Sequence, residues 1–545
     1  MKINQSIRVF SLCATLATLL SFASAAASAQ SIRATNALVL LDSTGSAQME
    51  RAITFIQAQG GRAPITFAPR ALLAKLPERD VSNWVGQAGI AEIITTPADA
   101  DRIELDYGDQ AGLAARGWNG ILQKARAPRQ TLPPGNDLID DALVAPDLPV
   151  RAPNGVSAPP TSDYTSMFMY GAVQVDVFLA ESNGTIDANT ENWTTPMRDN
   201  VVSEITTGLN WWVTAATQGG RPAANLTFNL TFHTPFNEPN VVATGYEPIN
   251  RPRPLSTSML WIGNIMTNLG YSATFAGVRQ YANARRNATG RDWAYSIFVA
   301  NSYNDADGLF TNGYSAYAYL NGPFMVMTYD NDGWGISRMD MVSTHETGHI
   351  FSALDEYAAS KCTTTEKSGY LNIANTNCEN GTPTEESIMR SGESMEIAYP
   401  SYLASTPVRG MIGWRDSDAD GIYDVADTSV QMSATRTTTP GVGQPVSYAG
   451  TATDIPFPSP KYPAMSVNKI TQVRYRVDYG AWSNATANDG AFNSYTESFK
   501  LTTAPLTRGT HTVEIRGLNS VGNYASFTQN ILLDPWRSYL PLIKR

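Results

Sequence analysis

The residues best suited to chemistry stand together in His345-Glu346-Thr347-Gly348-His349. On a helix, histidines four apart lie one turn from each other on a shared face, with Cβ atoms about 5–6 Å apart. Two imidazoles so placed can reach one Zn2+ at about 2.0–2.1 Å. Glu346 beside them can take a proton from water acidified by the ion, so the pattern points to metal-assisted hydrolysis with Glu346 as general base. The chain holds 4 histidines, which makes two at this spacing informative. The others, His233 and His511, fall in strand-like segments and read as half-buried strand residues.

A third ligand has to follow the helix. Residues 340–354 read as helical, with Val342, Ile350 and Leu354 available to the core. A bend after His349 would bring Asp355 to the histidines. A continuing helix would bring Glu356 there instead, because eleven residues nearly complete three turns. A second cluster, Asp416-x-Asp418-x-Asp420-Gly421-Ile422-x-Asp424-x-x-Asp427, has the spacing of a calcium loop. Its carboxylates and the Ile422 carbonyl would hold Ca2+, Gly421 would permit the sharp turn, and the role would be structural.

The segment His-Glu-x-Gly-His-x-Phe-x-x-Leu-Asp-Glu-Tyr (residues 345–357) resembles the bacterial IgA metallopeptidase family, which carries one more residue before Asp-Glu-Tyr. Ser387-Ile388-Met389-Arg390-Ser391 resembles the turn that metzincins place beneath the metal, with Met389 as its methionine. The resemblance implies a metzincin-like zinc peptidase and favours Asp355, ten residues after His345, over Glu356 as third ligand. Two features depart from the pattern. Ser352 stands where metzincins bend the chain with glycine, and Ser391 replaces the family tyrosine, a role that Tyr399 or Tyr402 would have to take.

The elements that must position these groups are strand, helix, strand, two helices and two strands, all before the metal helix. Val173–Leu179, Leu226–Phe232, Ala294–Ala300 and Phe324–Tyr329 read as strands. A helix opens at Thr195-Pro196 and helical segments lie near residues 259–269 and 275–284. Phe324–Tyr329 is the expected edge strand for a bound peptide. Residues 30–128 read as a separate small α/β unit, either a propeptide or an accessory domain. A Pro/Gly-rich linker (129–164), the catalytic domain (165–435), a sandwich (436–535) and a tail (536–545) follow. The expected fold class is therefore multidomain: a small α/β unit, an α+β metzincin-like zincin domain and an immunoglobulin-like β-sandwich.

Residues 1–29 read as a signal peptide, with Lys2 and Arg8 before an apolar run and Ala27-Ser28-Ala29 as cleavage site. A secreted, bacterial-type protein is expected. Its removal takes two bases and no acid, moving the formal charge from −10 to −12. Such a chain has no electrostatic reason to bind nucleic acid, and no later run is apolar enough to span a bilayer. Cys362 and Cys378 are expected to pair in an exported chain. The substrate class expected is protein or peptide. Alternatives are a surface adhesin or carbohydrate-binding protein with a vestigial metal site, or a zinc hydrolase of non-peptide amides or esters.

Overall fold

The structure is a computed structural model that describes residues 34–78, 81–125, 142–146, 160–218, 225–330 and 334–533. The expected signal peptide, most of the linker and the C-terminal tail lie outside the described residues. The N-terminal elements are β1 (Ala34–Leu41), α1 (Ser46–Ala58), β2 (Arg62–Phe67), β3 (Ala71–Pro77), β4 (Ile90–Ile94), α2 (Ala100–Tyr107) and α3 (Asp109–Lys124). A short strand, β5 (Ala142–Val144), follows. Then come β6 (Ala172–Ser182), α4 (Thr195–Ala215), β7 (Thr227–His233), α5 (Pro239–Val242), β8 (Ala243–Thr244), α6 (Leu255–Asn268) and α7 (Phe275–Thr289). β9 (Trp293–Ala300), β10 (Ala316–Leu320), β11 (Phe324–Thr328) and α8 (Met339–Ile350) complete the unit that carries the histidines.

These strands form one eleven-stranded sheet in the order β4-β1-β3-β2-β7-β6-β9-β11-β10-β5, with β8 paired to β6. The strands of residues 30–128 therefore do not make a sheet of their own. β2 runs parallel to β7, with Ile65 opposite Phe228, and the continuity departs from the separate unit expected. The cause is apolar pairing: Leu38, Leu40, Ile65 and Phe67 share one core with α3, α4 and α8. Every residue of β9 is buried, as in a strand covered on both faces. Trp293, Tyr295, Ile297 and Val299 face the α4 and α8 side, whereas Phe298 and Ala300 face α6 and α7.

The expected edge strand is also corrected. β11 lies inside the sheet, between β9 and β10. β10, which the sequence reading omits, is antiparallel to β11 and lies outside it. β5, from the expected linker, occupies the outer position.

Thr195-Pro196 opens α4 as read, and the cap is Thr194, whose side chain accepts from the Met197 amide. The C-terminal portion is β-rich, as expected. Its two four-stranded antiparallel sheets are built on Ser429–Arg436, Ser447–Ile455 and Thr496–Thr502 in one, and Ile470–Val477, Gly509–Asn519 and Tyr524–Leu533 in the other. Their inward residues, among them Val430, Tyr448, Val473, Phe499, Val513 and Ile515, form a core of their own.

Candidate metal centre

α8 is held from three sides before any ligand is considered. Trp212 of α4 donates its indole N–H to the Thr344 carbonyl at 2.9 Å, and Thr344 Oγ1 donates to the Gly208 carbonyl at 3.1 Å. From the sheet, Tyr295 of β9 hydrogen-bonds Thr347 at 3.2 Å. Beneath the helix, a Cβ at Gly348 would lie 2.5 Å from Met389 Sδ, so glycine leaves the room that the Met389 side chain fills.

The helix does not continue to Leu354. It ends at Ile350, and Ser352 adopts a φ of +76°, a left-handed conformation unusual for a side-chain-bearing residue. Ser352 Oγ donates to Asn321 Oδ1 just past β10, which ties the bend to the sheet. The chain thus bends at the position where glycine was expected, with serine in its place. Asp355 is turned to the histidines as a result.

His345 Nε2 and His349 Nε2 are 3.1 Å apart, and Asp355 Oδ1 lies 3.1 Å from the first and 3.2 Å from the second. The other ring nitrogens are engaged: His345 Nδ1 donates to the Ile388 carbonyl and His349 Nδ1 to the Ala353 carbonyl, each at 2.8 Å. With those protons on Nδ1, each neutral ring would present a lone pair at Nε2. Ligand atoms around a tetrahedral ion with bonds of about 2.0–2.1 Å are separated by about 3.3 Å, close to the sides of this triangle. The donor set fits zinc.

Glu356 goes elsewhere. It accepts from Ser405 Oγ at 2.6 Å and Asn377 Nδ2 at 3.2 Å, while its amide donates to the Met389 carbonyl at 2.8 Å. Burial pushes its carboxyl up from the ordinary range. It thus fastens the Asp355 segment to the Met389 turn and is not grouped with the histidines. Cys362 and Cys378 form a disulfide, with Cα atoms 5.8 Å apart, in the loop between α8 and that turn.

Tyr399 and Tyr402 pack against Trp211 and line a cavity of about 540 Å3 with Lys124 and Asp340. The tyrosine that sequence reasoning quoted without a role, Tyr357, has its ring 6.4 Å from that of His345. His233 is bound to Asp176 and Glu238, and His511 to Asp478 and the Thr507 carbonyl. Both lie on strands as expected, but are buried where half-burial was expected. Glu346 follows His345 on α8 and, like both histidines, has 0% of its surface exposed.

In the acidic loop, Asp416, Asp418 and Asp420 bring carboxylate oxygens within 4.8 Å of one another. Gly421 has a φ of +93°, as a tight loop requires, and its amide donates to Asp416. Asp418 is pushed up by desolvation and by Asp420 and Asp427 nearby. Asp424 does not join them: its carboxylate accepts from Arg415 at 2.5 Å and from the Ser417 amide at 2.8 Å. The arginine upstream competes for it. The Ile422 amide donates to Asp420. Asp427 accepts from Asn523 of the β-rich portion at 2.8 Å, so the loop's end is tied across to that unit.

No protein-family model matches this chain, and no curated protein matches it. Among solved structures, OgpA from Akkermansia muciniphila aligns over 71% of this chain and 99% of its own, at 8% identity and a TM-score of 0.19. A catalytically inactive form of OgpA has been solved with an O-glycopeptide substrate. A CARDB domain from Pyrococcus furiosus aligns over 21% of this chain and 99% of its own, at 12% identity and a TM-score of 0.14. A lipoprotein from Bacteroides thetaiotaomicron aligns over 19% and 82%, at 14% identity and a TM-score of 0.13. With TM-scores this low, none of these likenesses bears on what the site does.

Proposed function

We propose that this chain is a secreted, zinc-dependent endopeptidase of metzincin-like architecture. One observation carries the reading: two imidazole nitrogens and a carboxylate oxygen converge at 3.1–3.2 Å while both Nδ1 protons are committed to backbone carbonyls. Three acceptors at that spacing repel unless a cation or a shared proton lies among them. His345, His349 and Asp355 would hold the ion. Zinc there supplies Lewis-acid polarisation of a carbonyl and lowers the pKa of water towards about 7.

Glu346 moves the proton. Its carboxylate removes one from the attacking water, whose oxygen bonds to the carbonyl carbon, and returns it to the departing amine nitrogen as the C–N bond breaks. The backbone bonds to Nδ1 keep both rings aimed, and the Met389 turn supports the helix from below. The purified protein should contain one zinc per chain by mass spectrometry. A denatured-protein digest should show cleavages that a chelator abolishes and zinc restores. Protein without zinc, or cleavage indifferent to the chelator, would sink the reading.

The acidic loop would hold Ca2+ through Asp416, Asp418, Asp420, the Ile422 carbonyl and Asp427, with Asp424 withdrawn to Arg415. A ligand at 100 times its Kd stabilises a fold by about 2.7 kcal/mol. Calcium should therefore raise the melting temperature of the zinc-loaded protein, and Asp418→Asn should blunt that rise. An unchanged melting curve on adding calcium would rule the site out.

A further inference from the structure

β10 is the strand that runs beside the metal helix. Ala316 and Ala318 pack in the core that α8 enters, and Asn321 holds Ser352 just beyond His349. A bare strand edge in that place is where an extended peptide adds itself to a sheet, through backbone hydrogen bonds. In this structure the edge is taken. Ala142, Leu143 and Val144 of β5 lie opposite Ala318, Tyr319 and Leu320, in parallel.

A second, independent observation concerns access. His345, Glu346 and His349 have no exposed surface. A polypeptide cannot reach them in this conformation, so the chain must open before it acts on one. β5 is a lightly held element at the outer position of this sheet. It has 3 residues; Val144 is 79% exposed and Leu143 only half-buried. Its anchorage is the entry of Leu143 and Ala145 into the core on the α6 and α7 side.

The N-terminal unit is not held lightly. β2 is inside the sheet beside β7, and Lys124 at the end of α3 is paired with Glu204 and Asp340. Removing residues 34–124 would break these contacts, whereas freeing β5 would break only its pairing to β10 and the packing of Leu143 and Ala145.

We propose that β10 is the docking edge for an extended peptide substrate and that residues 142–144 are its intramolecular occupant, displaced before the site works. This rests on the peptidase reading. The substrate strand takes the place of β5, and side chains entering where Leu143 and Ala145 now sit are small or aliphatic.

The test compares full-length, zinc-loaded protein with the double variant Leu143→Asp/Ala145→Asp on a fluorogenic library of unstructured peptides. The variant should cleave at least about tenfold faster, and a synthetic peptide of residues 140–147 added in trans should slow it again. Leu143→Ala loosens the same anchor more gently and serves where the double variant does not fold. Equal, chelator-sensitive rates in wild type and variants overturn the occupant and leave the peptidase standing. No cleavage by any of these proteins, each holding one zinc, overturns the peptidase reading and this inference with it.

Discussion

Glu346→Gln should leave the chain folded and zinc-loaded while peptide hydrolysis falls by about 10²–10⁴-fold, the range typical of a lost general acid–base group. The amide matches the carboxylate in shape but cannot accept the proton of the attacking water. It also leaves untouched the three atoms that would hold the ion, His345 Nε2, His349 Nε2 and Asp355 Oδ1. Zinc content by mass spectrometry and turnover on the same sample separate the two roles. His345→Ala should instead lose the metal, since it deletes one corner of the triangle. Full activity in the Gln variant would remove Glu346 from the chemistry, and loss of zinc from it would move Glu346 into the metal cradle.

Lys124→Ala should destabilise the fold by about 3–5 kcal/mol, the usual result of stripping one partner from buried charges. Lys124 Nζ is 2.5 Å from Glu204 Oε2, 3.0 Å from Asp340 Oδ2 and 2.5 Å from the Ser337 carbonyl. Both carboxylates are buried, Asp340 completely. Without the ammonium they would face each other at the start of α8.

A pH dependence follows from Glu204, which burial and the neighbouring Asp340 push up to about 7 against the pull of Lys124. In the unfolded chain it ionises near 4.5. Between these values the folded state binds the extra proton, so this group makes stability fall as pH rises from 4.5 to about 7. The fall is on the order of 3 kcal/mol. Glu204→Gln should flatten that slope, and Lys124→Ala should steepen it. Urea unfolding at a series of pH values reads both, and superimposable wild-type and Glu204→Gln profiles would rule out the clamp.

What could be read from sequence followed the range of the interaction. His345, Glu346 and His349 were legible because their geometry depends only on one turn of helix. The choice between Asp355 and Glu356 was not, because it depends on where the helix stops. Ser352 sets that stop in a left-handed conformation, held by Asn321 in the turn after β10, 31 residues upstream. β10 carried a usable signal, Ala-Tyr-Ala-Tyr-Leu, small on the α8 face and aromatic on the other. Asp424 fits the calcium spacing, and Arg415 just before the loop was the available warning that it would be claimed. Lys124 gave none, because its partners lie far along the chain. Position in the sheet was equally hidden: a short unbroken apolar run identifies β11 as a strand but does not say which strands flank it.

The β2–β7 ladder also governs how the polypeptide must come together. Thr66 on β2 bonds Asn229 on β7, a partner 163 residues further along. Synthesis proceeds from the N-terminus, so the first hairpin is complete long before that partner exists, and one side of β2 stays bare in the meantime. Bare strands of this kind invite pairing with other copies. A fragment ending near residue 128 would carry the same uncovered side permanently and would tend to aggregate. The nascent protein reaches its native arrangement only once residues 227–233 have been made, and such distant closure makes for slow folding.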